Sequence, residues 1–355
     1  MATIKHFALN NQEYDRHHVS SDADERTMNE IYFPAFRAAV EEAKVASVMT
    51  SYNLVNGVHA AEHPVLIREN LSDRWGCKGF VMSDWTSTYS ALASVKGGLD
   101  LEMPQAWCMN SDELLPLIEA GLIDESEIDA KVQNILQTLI AFGFLDREQL
   151  DRSISEDNAY SRDVAYRLSC ESAVLLRNEG ALPLKPGRRN KVLLMGPNAS
   201  VIPCGGGSGR VDPIYSISLA EGMKGLGRNW SVSVADGKPS VKELESASAV
   251  IVSVGFNSKT EKENSDRTFS LPEGQDELIE YAAAHNRKVI VVIYAGGAVD
   301  MSRWKDKVSA IVMGRYPGPE GGTAIANLLA GNINPSGKLP MRFESRLEDP
   351  HNWKR

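Results

Sequence analysis

Four apolar runs in the second half of the chain constrain its fold more than any other sequence feature. They are VLLMG, SAVIVSVGF, VIVVIYAGG and SAIVMGRYPG, and each is apolar almost throughout. Strands of this kind are covered on both faces by other elements. Helical patterns in QDELIEYAAAH and EGGTAIANLLAG lie between and after these strands. We therefore predict a three-layer α/β sandwich domain here.

The first half of the chain also alternates strand-like and helical patterns. ATIKHF, VASVMTSYN and KGFVMSDW are typical of strands, while residues 24–44 and VLIRENLSDRWG are typical of helices, the first with a kink at Pro34. Such alternation indicates a parallel sheet or a (β/α) barrel, in which functional side chains collect at the carboxyl ends of the strands.

The chain has 355 residues, which is more than one hydrophobic core usually organises. Residues 111–145 show helical spacing, and a polar, aperiodic stretch follows. A further helix is predicted with Ser161 as its N-cap and with Leu168, Leu175 and Leu176 facing inward. We predict a (β/α) domain over 1–145, a linker over 146–160 and the α/β sandwich over 161–355.

Composition excludes several functional classes. The net charge is −9 with no dense Lys/Arg run, which argues against nucleic-acid binding. No apolar stretch approaches the length of a transmembrane helix, so we predict no membrane partner. The four cysteines are widely spread, which favours reduced thiols over disulfides or a zinc site. The start, MATIKHFALNN, is unlike a signal peptide, which favours a cytoplasmic location although the compartment stays open.

Asp84 ends a predicted strand and is followed by Trp85, whose flat apolar face suits the C–H face of a sugar ring. Lys5 and His6 lie at another predicted strand end, and Tyr52 follows a third. An aspartate at a strand end is more often a cap or an ion-pair partner. Together, however, a carboxylate, aromatic rings and hydrogen-bond donors at converging strand ends make a carbohydrate site plausible.

Ordered motifs along the chain resemble the family 3 glycoside hydrolases. The motifs are KHFALNNQEYDR, SVMTSYNLVNGV, GFVMSDW and GLDLEMP, then ESAVLLRNEGALPL, ENSDRTFSLPEGQDELI and PGPEGGTAIANLLAGNINPSGKLP. The resemblance implies a TIM-like barrel followed by an α/β sandwich. It also implies a β-glucosidase-like, exo-acting and retaining enzyme that needs no metal or cofactor and acts on an oligosaccharide or β-glycoside.

The resemblance further implies roles for individual residues. Asp84 matches the nucleophile, and the general acid/base is Glu263, with Glu261 as its rival because this loop varies. The sugar pocket would be formed by Lys5, His6, Met49, Tyr52 and Trp85. Lys5 would lie close to Asp84 and keep its carboxylate ionised.

Other polar features receive structural interpretations. The glycine-rich stretch CGGGSGRVDP lacks a nucleotide-binding motif, so a surface loop is favoured over phosphate binding, although the resemblance places this loop near the cleft. His17, His18, His59 and His63 lack the carboxylate companions of a metal site, and we predict no metal. Glu102 is predicted to be structural, and Arg16 to pair with an acid.

Compared with the family pattern, the chain begins almost at the KHF strand, and FESRLEDPHNWKR ends it before the fibronectin-like domain of many members. We therefore expect a fragment with a partial barrel, inactive by itself or open to homo-oligomerisation at its free edges. The alternatives to a β-glucosidase-like enzyme are a catalytically silent carbohydrate-binding remnant and β-xylosidase-type specificity. A nucleotide-dependent α/β enzyme is the weakest alternative.

Overall fold

A computed structural model describes residues 1–187 and 190–343 of the chain. The prediction made for the terminal stretch FESRLEDPHNWKR therefore falls, from Glu344 onward, outside the described residues. The chain divides into two compact units, Met1–Ile154 and Ser155–Arg355. This division falls within 146–160, the segment for which the sequence predicts a linker.

The first unit contains a parallel sheet with the strand order β1-β3-β6-β7 and a small sheet with the order β2-β4-β5. The strands are β1 (Thr3–Phe7), β2 (Ser20–Ser21), β3 (Ser47–Thr50), β4 (Leu54–Val55), β5 (Val58–His59), β6 (Phe80–Trp85) and β7 (Leu101–Met103). Thr3 pairs with Ser47, and Ser47 pairs with Phe80. Because β1, β3, β6 and β7 are parallel, their carboxyl ends lie at one edge of the sheet.

Helices connect these strands, as the sequence predicts for a (β/α) arrangement. The α-helices are α1 (Glu25–Thr27), α2 (Phe33–Glu41), α3 (Ala91–Gly97), α4 (Ser111–Glu119) and α5 (Glu125–Ala141), with π-helical segments at Met28–Tyr32 and Val65–Arg74 and a 3₁₀ turn at Ala60–Glu62. The kink predicted at Pro34 takes the form of the π-helical turn that immediately precedes α2. A proline has no N–H to donate to the preceding turn, so it fits the first turn of a helix better than its interior.

The continuous helical stretch predicted over 111–145 is wrong, because two helices form instead. Gly121 adopts φ = 71°, a left-handed conformation that ends the helical path after α4. Asp124 then caps α5 together with Glu127 in a capping box. The apolar spacing continues across this break, which is why periodicity alone did not reveal it.

Asp100 and Lys131 of α5 are two buried ionisable side chains. Asp100 accepts hydrogen bonds from the Val81 N–H (2.8 Å) and from Asn134 (3.1 Å), and Lys131 donates to the Val95 carbonyl (3.2 Å). Burial raises the pKa of Asp100 and lowers the pKa of Lys131 to about 8. Keeping Lys131 charged in this position therefore costs folding free energy.

This cost predicts a measurable pH dependence of stability. Between pH 8 and 10.5 Lys131 is neutral in the folded chain but protonated in the unfolded chain, so the free energy of unfolding rises with pH in this window. The total gain is at most about 3–4 kcal/mol, since the pKa falls from 10.5 to about 8 and one pKa unit corresponds to about 1.4 kcal/mol. Denaturant unfolding of wild type and Lys131→Met at several pH values measures it.

The Lys131→Met curve should lack this rise, while a control variant at the exposed Lys78, Lys78→Met, should follow the wild type. Parallel curves for wild type and Lys131→Met would contradict the assignment.

The second unit is built on a sheet with the strand order β10-β9-β11-β12-β13-β8. The strands are β8 (Val174–Asn178), β9 (Lys191–Met195), β10 (Ser231–Val234), β11 (Ala249–Gly255), β12 (Val289–Tyr294) and β13 (Ala310–Met313). Neighbouring strands are parallel except that β8 is antiparallel to β13. All residues of β11, β12 and β13 are buried, as the four apolar runs predict.

Helices cover both faces of this sheet. They are α6 (Ala159–Ser172), α7 (Leu219–Gly225), α8 (Val241–Ser246), α9 (Gln275–His285) and α10 (Gly321–Ala330), with a 3₁₀ turn at Gly207–Gly209. On one face Leu219 and Ile325 pack with alternate strand residues, and on the other face Leu244 and Ile279 pack with the remaining ones. This is the predicted three-layer α/β sandwich.

The start of α6 differs from the prediction. Asn158 is the N-cap, and its side chain accepts a hydrogen bond from the Ser161 N–H at 2.8 Å, so Ser161 lies inside the helix. Leu168 is 63% exposed rather than inward-facing. Leu175 and Leu176 belong to β8, because their backbone pairs with β13 instead of continuing the helix.

Candidate active site

The carboxyl edge of the first sheet brings several predicted site residues together. His6 lies near the end of β1, Tyr52 follows β3, and Asp84 and Trp85 end β6. The parallel register places these strand ends side by side. The strand ends therefore form one polar and aromatic surface, as the sequence predicts.

Asp84 is buried, with an exposed fraction of 5%. Its Oδ1 accepts a hydrogen bond from the Trp85 N–H at 2.7 Å, and its backbone carbonyl accepts one from the Ser87 hydroxyl at 3.0 Å. Its Oδ2 lies 3.3 Å from His6 Nε2 and accepts no hydrogen bond from the described residues. A buried carboxylate oxygen without a hydrogen-bond donor is unusual, and it is a group able to react.

The prediction that Lys5 lies next to the Asp84 carboxylate is wrong. No ion pair between Lys5 and Asp84 forms within the described parts of the chain; Lys5 is exposed on β1, and the contact is made by His6. Trp85 is 57% exposed, so its ring is available as an apolar platform. Met49 is half-buried on β3, in register with Met82 of β6.

Tyr52 stands in a group of rings that the sequence did not reveal. The guanidinium of Arg16 lies 4.0 Å from the centre of the Tyr52 ring, and the His17 ring lies 4.3 Å from it. His17 Nδ1 is 3.2 Å from the Tyr89 hydroxyl, and Tyr89 stacks on His59 at 3.9 Å. Arg16 also pairs with Glu13 at 3.0 Å, in agreement with its predicted role.

Electrostatic contacts link these rings to the acid. Burial, assisted by the charge of Arg16, lowers the pKa of His17, whereas the nearby charge of Asp84 acts in the opposite direction. Burial also lowers the pKa of His59. Both imidazoles therefore remain neutral at pH 7. No cluster of three or more His, Cys, Asp or Glu able to hold a metal is found among the described residues.

Glu102, at the end of the adjacent strand β7, contrasts with Asp84. Its carboxylate accepts hydrogen bonds from the Thr88 hydroxyl (2.5 Å), the Cys108 N–H (2.9 Å) and the Met109 N–H (2.7 Å). Its hydrogen-bonding capacity is used in holding the loop that follows β7. These contacts confirm the predicted structural role.

In the second unit, the loop after β11 carries Glu261 and Glu263. Glu261 forms an ion pair with Arg267 (2.8 Å) and accepts hydrogen bonds from the Gly296 N–H (2.9 Å) and the Tyr316 hydroxyl (2.5 Å). Burial and the contact with Glu261 raise the pKa of Tyr316. Both carboxylate oxygens of Glu261 are thus occupied by groups that shape the loop.

Glu263 is held differently, by the glycine-rich loop. Its Oε2 accepts a hydrogen bond from the Ser208 N–H at 2.8 Å and another from the Ser208 hydroxyl. A Cβ on Gly207 would lie 2.3 Å from the Glu263 Cβ, so only glycine permits this approach. The sequence predicts a surface loop here and gives no indication of the contact made by Ser208. The closely spaced glycines, which allow two backbones to touch, are the signal that could have indicated it.

The model described as "Glycosyl hydrolase family 3 N terminal domain" matches residues 1–138, and the one described as "Glycosyl hydrolase family 3 C-terminal domain" matches residues 173–354. The chain is 32% identical to an exo-α-(1→6)-L-arabinopyranosidase of Bifidobacterium longum over 98% of its own length and 48% of that protein. It is 33% identical to thermostable β-glucosidase B of Acetivibrio thermocellus over 98% of its length and 47% of that protein.

The fold is similar to that of solved structures as well. β-Glucosidase 3B from Thermotoga neapolitana, in complex with glycerol, matches with a TM-score of 0.87 and 31% identity over 98% of this chain and 54% of that one. This likeness confirms the predicted TIM-like and α/β sandwich architecture. The chain spans about half the length of the curated relatives it matches. None of the helices in the described ranges is long and apolar enough to cross a membrane.

Proposed function

The chain belongs to glycosyl hydrolase family 3, and on that basis we propose that it supplies the nucleophile and the general acid/base of a retaining, exo-acting β-glycosidase. The single observation that carries the proposal is the state of the Asp84 carboxylate: it is buried at the carboxyl edge of the first sheet and its Oδ2 accepts no hydrogen bond from the described residues, whereas Glu102 and Glu261 are engaged in structural contacts.

Asp84 is the nucleophile in this proposal. A retaining glycosidase attacks the anomeric carbon with a carboxylate, and a covalent glycosyl-enzyme forms as the leaving-group oxygen departs. The Trp85 N–H holds Oδ1 at 2.7 Å and so fixes the orientation of the carboxylate. Oδ2, which accepts no hydrogen bond from the described residues, is the oxygen that would attack.

Glu263 is the general acid/base. It donates a proton to the leaving oxygen in the first step and removes one from water in the second. Ser208 would orient the carboxyl group through the hydrogen bonds to Oε2. The mechanism requires the two carboxyl groups roughly 5–5.5 Å apart.

The sugar is a terminal pyranose, which we propose to be a β-glucoside. Lys5, His6, Met49, Tyr52 and Trp85 would line its pocket, with Trp85 beneath the ring. The relative named as a β-glucosidase supports glucose as the sugar that is released. Because the relative from B. longum is named an arabinopyranosidase, the test includes a pentopyranoside. β-Xylosidase-type specificity is the alternative within this class.

A panel of aryl glycosides tests the proposal. Whereas the partial barrel predicts an inactive chain, the proposed function predicts that the chain hydrolyses an aryl β-glucoside faster than the matching β-xyloside and α-L-arabinopyranoside, with no reaction on the aryl α-glucoside. NMR of the first product should show β-glucose, because a double displacement retains configuration. α-Glucose as the first product would overturn the mechanism. Glucose binding without any hydrolysis would instead favour the catalytically silent carbohydrate-binding protein.

A further inference from the structure

Four aromatic side chains in the first unit contact one another in a closed group, and only one of them, Tyr52, has a place in the proposed sugar pocket. The His17 ring lies 4.3 Å from the Tyr52 ring, and His17 Nδ1 is 3.2 Å from the Tyr89 hydroxyl. Tyr89 stacks on His59 at 3.9 Å, and His59 in turn interacts with the backbone of Tyr52. These contacts give Tyr52 neighbours on separate segments of the chain.

Tyr89 is a firmly held member of this group. It lies between β6 and α3, in the segment that follows Asp84. The Glu62 carboxylate accepts hydrogen bonds from the Tyr89 N–H at 2.8 Å and from the Ser90 N–H at 2.7 Å. The position of the Tyr89 hydroxyl is therefore tied to the segment that carries the proposed nucleophile.

His17 joins this hydroxyl to the Tyr52 ring. Tyr52 is buried, and its ring also has the Arg16 guanidinium 4.0 Å from its centre. Burial, followed by the charge of Arg16, lowers the pKa of His17, so a neutral imidazole contacts the ring. A neutral imidazole fills this place without bringing a second positive charge close to Arg16.

We infer that His17 is a positioning residue for the sugar pocket, because its imidazole fixes the Tyr52 ring relative to the segment after Asp84 through the hydrogen bond with Tyr89. The inference rests on the proposed function, in which Tyr52 lines the pocket. A pocket wall that is already held in place loses little conformational freedom when a sugar binds, and this favours affinity. His17 needs no contact with the sugar for this role.

Variants that keep the rings and remove the hydrogen bond test the inference. His17→Phe and Tyr89→Phe should each weaken the binding of D-glucose, measured by ligand-detected NMR, by about three- to tenfold, the net effect of one hydrogen bond. The double variant should bind no more weakly than either single one, since both changes remove the same bond. His18→Phe is the matched control, because the neighbouring His18 is exposed and pairs with Asp15 at 2.8 Å, and it should bind glucose like wild type.

A purely structural role would affect stability and leave the affinity of the folded chain unchanged. Denaturant unfolding of the same preparations therefore accompanies the binding measurement. Wild-type glucose affinity in His17→Phe, whatever its stability, would overturn the inference. Full additivity of the two single effects would overturn it as well, and so would the absence of glucose binding by wild type.

Hydrolysis separates this inference from the proposed function. In an active chain, His17→Phe should raise KM for an aryl β-glucoside more than it lowers kcat, because the two proposed catalytic acids are untouched. Unchanged KM and kcat in this variant would count against the role of His17 alone. Glucose binding needs no catalysis, so a wild type that binds glucose without hydrolysis, and more tightly than both single variants, would count against the glycosidase proposal alone.

Discussion

Replacement of Asp84 by asparagine is expected to lower kcat/KM for an aryl β-glucoside by at least about 10⁴-fold, because the amide cannot form the glycosyl-enzyme. The fold should tolerate the change. Asparagine keeps the oxygen that accepts the Trp85 N–H, and it removes a buried charge whose other oxygen receives no hydrogen bond from the described residues. Steady-state kinetics and denaturant unfolding of the same preparations measure both effects.

Glu102→Gln is the matched control, since Glu102 is also a buried acid on a neighbouring strand. It should lower the free energy of unfolding by about 1–3 kcal/mol, because the Thr88 hydroxyl and two backbone N–H groups lose a charged acceptor. If Asp84→Asn instead lost stability and kept its activity, Asp84 would be a structural residue.

A direct chemical test locates the covalent bond. A 2-deoxy-2-fluoroglucoside with a good leaving group should label the chain slowly. The fluorine slows both the formation and the hydrolysis of the glycosyl-enzyme, and the good leaving group restores the rate of formation, so the glycosyl-enzyme accumulates. Mass spectrometry of peptides should then find the sugar on Asp84 in wild type and no label in Asp84→Asn. A label on another acid would transfer the nucleophile assignment to that residue.

The position of Asp84 could be predicted because it follows from strand order alone. An apolar run that ends in an acid, in a chain of alternating strands and helices, places that acid at the carboxyl edge of a parallel sheet. The choice of His6 over Lys5 as its neighbour could not be predicted in this way. It depends on the detailed path of β1, because adjacent residues on a strand point to opposite faces and the sequence does not show which face meets Asp84.

The aromatic group around Tyr52 was unpredictable for a related reason. Arg16, His17, Tyr89 and His59 come from loops and short strands whose positions are fixed by tertiary packing rather than by local periodicity. Likewise, the resemblance favours Glu263 in TEKENSDR but keeps Glu261 as its rival, because this loop varies. The contacts of Arg267 and Ser208 give the two glutamates different surroundings.

That distinction gives the last prediction. Glu263→Gln should lower kcat/KM by about 10²–10⁴ for glycosides with poor leaving groups, such as phenyl β-glucoside, because departure of phenoxide needs the proton. For the 2,4-dinitrophenyl glycoside the rate of glycosyl-enzyme formation should fall far less, since that leaving group departs without a proton. The second step then limits turnover, and added azide should restore it by attacking the glycosyl-enzyme to give the β-glycosyl azide.

Glu261→Gln should behave in the opposite way. It removes the charge that pairs with Arg267 and weakens the acceptor for the Gly296 N–H, so the free energy of unfolding should fall by about 1–3 kcal/mol. Any loss of activity should then be similar for good and poor leaving groups and insensitive to azide. If Glu261→Gln showed the leaving-group dependence and Glu263→Gln did not, the roles would be reversed. The two glutamates are only two residues apart, so a clear difference between them would reflect the different contacts and orientation that the fold gives each side chain.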